Sequence, residues 1–140
     1  MRDFTNNLHP IRAISPVSVA DNTAEVGEII DRQGYDGLTF VIATGSLADA
    51  DATFAVLVEH GNDSGLSDAA AVADADLLGT ETLASFQFDD DDETRKIGYI
   101  GDRRYVRLTI SPAANASAAL FSAVAIMGWP TVAATANPPV

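Results

Sequence analysis

Cysteine is absent from this 140-residue chain, so disulfides, thiolate metal ligands and a cysteine nucleophile are all excluded. Basic residues are scarce: eight Lys and Arg stand against twenty Asp and Glu, a formal charge of −12. That imbalance argues against a nucleic-acid partner, whose phosphates would repel it, and disfavours anionic membrane surfaces. Aromatics are few, with one Trp, three Tyr and six Phe. No apolar run approaches the roughly 18 residues needed to cross a bilayer. The N-terminal MRDFTNNLHP lacks an apolar core and does not read as a signal peptide, so synthesis in the cytoplasm is expected.

What is present is a series of short β-like runs. Leu38, Phe40 and Ile42 alternate with Thr39, Val41 and Ala43, and Phe54, Val56 and Val58 with Ala55, Leu57 and Glu59. Two further runs follow, Val106–Ile110 and Leu120–Met127. Period-two alternation sends successive side chains to opposite faces of a sheet. The first, second and last runs are apolar on both faces, which predicts central strands covered on both sides. Weaker strand candidates are Ile11–Val19, Ala24–Asp31, Thr82–Phe88 and Arg95–Ile100.

The runs are separated by turn-forming stretches: RQGYDG (Arg32–Gly37), HGNDSG (His60–Gly65) and SPAANAS (Ser111–Ser117). The alanine-rich Leu66–Leu78 predicts either a short helix, with Ser67 or Asp68 as N-cap, or an irregular loop. The whole predicts one all-β domain over residues 1–130, an antiparallel β-sandwich, jelly-roll-like, of seven or eight strands. An N-terminal arm is expected over about residues 1–10 and an extended or flexible tail over 131–140. An immunoglobulin-like strand order fits the same periodicity.

The densest charge is Asp89–Glu93, followed by Arg95 and Lys96. Calcium loops need defined ligand spacing and a turn-making Gly, and a run of adjacent acids has neither, so it reads as a solvated hairpin turn. The Asp-x-Asp pairs in Asp49–Thr53 and Ala73–Leu77 do not continue into a calcium-binding pattern. His9 and His60 stand in no ligand pair or triad setting. No catalytic residue, cofactor site or metal site is therefore expected. Arg103, Arg104 and Arg107 form the one basic cluster, read either as partners of the acidic turn across neighbouring strands or as a contact with another chain. Trp129, the sole tryptophan, closes the core or anchors a partner.

Three stretches, IDRQGYDGLTFVI (Ile30–Ile42), FAVLVEHGNDSG (Phe54–Gly65) and IGYIGDRRYVRLTI (Ile97–Ile110), carry a likeness spanning roughly Ile11–Pro130. In them the chain resembles a family of small proteins encoded in the structural gene modules of tailed bacteriophages and prophages. The resemblance implies a non-enzymatic virion component, first of all a capsid decoration (cement) protein on the outside of the head. It implies the major capsid protein and sister copies in a homotrimer as partners, and the capsid surface as location. A head–tail connector or tail-associated protein is the alternative within that module, and a carbohydrate-binding adhesion module the alternative outside it. Three contact regions are expected: the arm (Phe4, Leu8, Ile11), the arginines Arg103, Arg104 and Arg107, and Trp129 with the tail.

Overall fold

A computed structural model describes residues 2–139. Its elements are β1 (Leu8–Val19), β2 (Glu25–Val26), β3 (Ile30–Asp31), β4 (Tyr35–Leu47), β5 (Thr53–Gly61), β6 (Ala70–Ala71), β7 (Leu77–Leu78), the one-turn helix α1 (Glu81–Ala84), β8 (Phe86–Gln87), β9 (Thr94–Tyr99), β10 (Tyr105–Ala113) and β11 (Ala119–Pro130). They form two antiparallel sheets. The front sheet runs β1-β11-β4-β9-β7, and the back sheet β2-β10-β5-β6, with β3 also on β10 and β8 also on β5.

The two-residue strands β2 and β3 are halves of one broken strand on β10, and β6 and β8 are halves of another on β5. Counted so, eight strands cross between sheets in the double Greek-key order of a jelly roll, with β7 added at an edge. That strand order decides between the two architectures the periodicity allowed.

The core lies between the sheets and follows the alternation. Leu38, Phe40 and Ile42 of β4 and Phe121, Ala123, Ala125 and Met127 of β11 face Phe54, Val56 and Val58 of β5 and Val106, Leu108 and Ile110 of β10. Small alanines on β11 leave room for rings. Phe54 stacks on Phe86 at 4.8 Å between centroids, and Phe121 meets both edge-on at 5.8 and 5.7 Å. These aromatic arrangements add to the burial of large apolar areas.

Two sequence expectations need correction. Residues 38–43 and 120–127 are central strands, but only their inner faces are covered. The outer face of the front sheet meets no other layer, so Leu120 and Val124 stay 43% and 38% exposed. The helix also falls elsewhere. Leu66–Leu78 is irregular, holding β6 and a 3-10 turn at Asp74–Asp76. Asp68 does not cap a helix there, because its carboxylate accepts from the N–H groups of Asn62 and Asp63 and closes the preceding loop. Helix α1 instead interrupts the expected strand Thr82–Phe88, where the Thr80 hydroxyl accepts from Leu83 N–H as its N-cap.

That turn of helix completes β5. In the gap between β6 and β8, Glu81 Oε1 accepts from Val58 N–H at 2.7 Å and Ser85 Oγ from Val56 N–H at 3.0 Å. Side chains thus satisfy donors that a strand would otherwise take. At the opposite edge, β1 carries Pro10, Pro16 and two register shifts. Gly27 crosses beside it, donating to Leu108 O, and a Cβ there would collide with that carbonyl. Among the described residues no helix is long and apolar enough to cross a membrane.

Phe54 meets both other rings of the aromatic group and is fully buried, so Phe54→Ala should cost about 3–5 kcal/mol of stability. Urea unfolding followed by circular dichroism measures it.

Candidate functional site

One end of the sandwich gathers the residues that the sequence singled out. The start of β1, the end of β11 and the start of β4 meet there, with Leu8 opposite Gly128 and Gly128 opposite Gly37. Trp129 follows with a positive φ of 49°, a left-handed conformation rare for a bulky residue, and is 77% exposed. Its ring lies over Gly37: a Cβ on that glycine would stand 2.6 Å from the indole. The Cε3–Cζ3 side of the indole is therefore packed against that backbone. By the alternation of β4, the seat is on the outer side of the front sheet, with Thr39 and Val41.

Beside Trp129 the chain before β1 makes a 3-10 turn, Thr5–Asn7, with Phe4 73% exposed. Asp3 caps this turn, its two carboxylate oxygens accepting from the Asn6 backbone and side-chain N–H groups. Asn7 Nδ2 donates to the Asp3 carbonyl at 2.8 Å. Asp3, Phe4, Asn7, Leu8, Gly128 and Trp129 enclose a cleft of about 230 Å³, apolar over most of its wall. The tail closes a second, adjoining cleft of about 240 Å³ with Phe4, Leu8 and Pro10. It is fixed to the arm: Thr135 donates from its N–H to Asn6 O and from its hydroxyl to Leu8 O.

The structure thus brings Phe4, Leu8 and Trp129 together. Ile11 is not with them. It sits within β1 opposite Ala125, half-buried against the core. Only the residues before Leu8 precede the sheet, so the arm is shorter than the expected residues 1–10.

The arginines line a different part of the same end. Arg104 grips Asp31 with two hydrogen bonds of 2.9 and 2.8 Å. Arg107 faces Glu59 directly across β10 and β5 and bonds it at 2.8 Å. Arg103 approaches Asp102 at 3.6 Å. The pairing across strands is there, but with other acids than those of the acidic turn. Those acids hold their own neighbourhood: Arg95 bridges Asp90 and Glu93, and Asp91 accepts from Leu47 N–H.

An arginine that the sequence reading passed over joins the two sheets at this end. Arg32 donates to the carbonyls of Arg103 and Gly101 and lies 5.3 Å from the Tyr99 ring centre. The buried Tyr99 hydroxyl accepts from Arg103 N–H and shares a 2.8 Å hydrogen bond with His60 Nδ1. Burial pushes the Tyr99 hydroxyl pKa up. His9, buried in β1, stacks on Tyr35 at 5.3 Å. The two histidines stand apart, and among the described residues no group of three His, Asp or Glu could hold a metal ion. Of the Asp-x-Asp pairs, the first closes a turn, Asp49 accepting from the N–H groups of Asp51 and Ala116, and the second lies in the 3-10 turn Asp74–Asp76.

The sequence matches no protein-family model and no curated protein. Solved structures with a similar chain path include the xylanase 10B of Clostridium thermocellum, CBM22-1-GH10 modules complexed with xylohexaose (12% identity, TM-score 0.44). That match spans 96% of this chain but only 29% of the xylanase chain. The xylan-binding module CBM15 is 15% identical with a TM-score of 0.43, covering 93% of this chain and 95% of that one. A family two carbohydrate esterase from Cellvibrio japonicus is more distant, at 13% identity and TM-score 0.27, over 90% of this chain and 37% of the esterase. These are likenesses of β-sandwich architecture.

The loop after β5 generates a pH prediction. Asp63 and Asp68 are held below the usual carboxylate value of 3.8. The Ser67 backbone N–H does this chiefly for Asp63, and those of Asn62 and Asp63 for Asp68. A depressed folded pKa lends stability that is complete above the unfolded value and is lost as the pH falls through the folded one. Asp68→Asn should therefore lower the unfolding temperature at pH about 7 and lose its effect as the pH falls below 3.8 through the lowered folded pKa. Thermal unfolding of both proteins across that range measures it.

Proposed function

We propose that this chain is a non-catalytic docking module that attaches to a larger protein surface through the Phe4–Trp129 cleft. The larger surface is the outside of a tailed-phage head, where the chain acts as a decoration (cement) protein. The observation that carries the docking role is the presentation of Trp129. A tryptophan held in a left-handed conformation at 77% exposure, beside an equally exposed Phe4, is an arrangement that folding alone does not require. Exposed aromatic anchors next to a cleft are the usual centre of a protein interface. The virion as the setting is supported by the resemblance of Ile30–Ile42, Phe54–Gly65 and Ile97–Ile110 to phage structural proteins. Many weak copies on a symmetric shell gain avidity and resist internal pressure without any chemistry.

A carbohydrate-binding role is the second reading, favoured by one feature: an indole packed on Gly37 and left 77% exposed can stack on a sugar ring. Against it, Asp3 and Asn7, the polar side chains of the cleft, are engaged within the turn. Sugar hydroxyls need such groups free, whereas an apolar protein side chain does not.

Purified heads lacking the protein, incubated with wild type and with Trp129→Ala, test the docking role. The variant should bind at least about thirtyfold more weakly, the effect of removing an interface anchor worth about 2 kcal/mol. Equal occupancy of heads by both proteins sinks the proposal. Binding on a glycan array that disappears in Trp129→Ala moves the assignment to the second reading. Copy number per virion, hundreds against a single ring, separates decoration from a connector.

A further inference from the structure

The wall of the Phe4–Trp129 cleft has few places left to receive a hydrogen bond. The carbonyls of Asp3, Phe4 and Thr5 already accept, from Asn7 Nδ2, Asn7 N–H and Leu8 N–H in turn. Those of Asn6 and Leu8 accept from Thr135. Both carboxylate oxygens of Asp3, the one charged side chain of the wall, accept from Asn6. The cleft does offer a donor. Trp129 Nε1–H lies across the ring from the Cε3–Cζ3 side packed on Gly37, and it donates to no group among the described residues. At about 230 Å³ the cleft is smaller than the roughly 300–1,000 Å³ of pockets that enclose whole small ligands, so it holds a residue or two of a chain lying across it. Phe4 and Leu8 also wall the adjoining cleft, which Pro10 and Pro139 of this chain line with them.

We infer that the cleft takes an extended, proline-bearing segment of the partner protein, its prolyl rings against Trp129 and Phe4 and one of its carbonyls accepting from the indole N–H. This rests on the docking role proposed above and names the chemistry of what docks. The hydrogen-bond inventory selects the occupant. Ordinary backbone entering the cleft brings N–H groups to a wall whose acceptors are taken, and a donor buried without a partner costs free energy. Proline brings a carbonyl and no N–H, so it meets the same wall without that loss. Its fixed φ holds a run of prolines extended before binding, which is why such segments dock on aromatic-lined grooves at little cost in chain entropy. Charge does not enter the choice, because Asp3 is engaged within its own turn. The tail already puts this preference to use, with Pro139 in the cleft that Phe4 shares.

Titration of the full chain with a blocked polyproline peptide, and with a Gly-Ser peptide of equal length, tests it. Trp129 is the only tryptophan, so its indole N–H gives a single NMR signal to follow. Polyproline should shift that signal saturably, with a Kd of about 1 mM or tighter, and Gly-Ser should bind at least about tenfold more weakly. Trp129→Phe keeps a ring and removes the donor. It should weaken polyproline binding about tenfold, read from the Leu8 and Gly128 amide signals, with its unfolding temperature unchanged. No saturable shift, an equal response to both peptides, or a Trp129→Phe variant that binds polyproline as wild type does overturns the inference. Loss of head binding in Trp129→Ala without any peptide response overturns this inference alone and leaves the docking role. Polyproline binding by a wild type that leaves heads bare supports the inference and removes the phage head as its setting.

Discussion

The edge-on contact of Phe121 with Phe54 and Phe86 joins the two sheets, and much of the molecule is arranged to make it possible. Phe121 comes from the front sheet and the other two rings from the back sheet. The alanines flanking Phe121 on β11 keep the interlayer space open for these rings. Phe86 reaches its place because α1 turns the chain back towards β5, and the same turn supplies Glu81 and Ser85 to the free donors of that strand. The acidic run follows directly. Asp90 accepts from Gln87 N–H, and Thr44 and Arg95 hold the rest against β4 and β9. A stretch that looked like a place for chemistry is the tie between that joint and the front sheet.

The fold class was legible because the long strands keep strict alternation, and each alternating run maps onto one strand of the jelly roll. What stayed hidden is instructive. Two of the eight strands are broken into two-residue halves, too short for periodicity to register. Residues 66–78 have the composition of a helix, yet Asp68 serves the loop before it rather than a helix after it. Apolar residues on both faces of β4 and β11 suggested a third layer. Composition cannot tell a covered outer face from one that is left open.

The candidate site was legible in part. Phe4, Leu8 and Trp129 could be named as large apolar residues near the ends of the chain, but nothing in the sequence joins one end to the other. Their meeting depends on β1 pairing with β11, a contact between the first and last strands. The seat of the indole is a glycine on a third strand, and that pairing shows only when Gly37 lies opposite Gly128. Arg32 was missed for a similar reason: its hydrogen bonds go to carbonyls about seventy residues away. The three arginines were found, but Arg104 and Arg107 are largely occupied by Asp31 and Glu59. The contact surface is therefore more apolar than their charge suggested.

The edges of the two sheets bear on how such a protein can be concentrated. Unpaired strand edges are templates for uncontrolled growth between chains. Here one front edge is interrupted by Pro10, Pro16 and two register shifts, and the other is the two-residue β7. Each back edge is split in two, and side chains fill one of the gaps. Copies crowded side by side can meet only through side chains. Their order is then set by shape and charge rather than by continued sheet pairing.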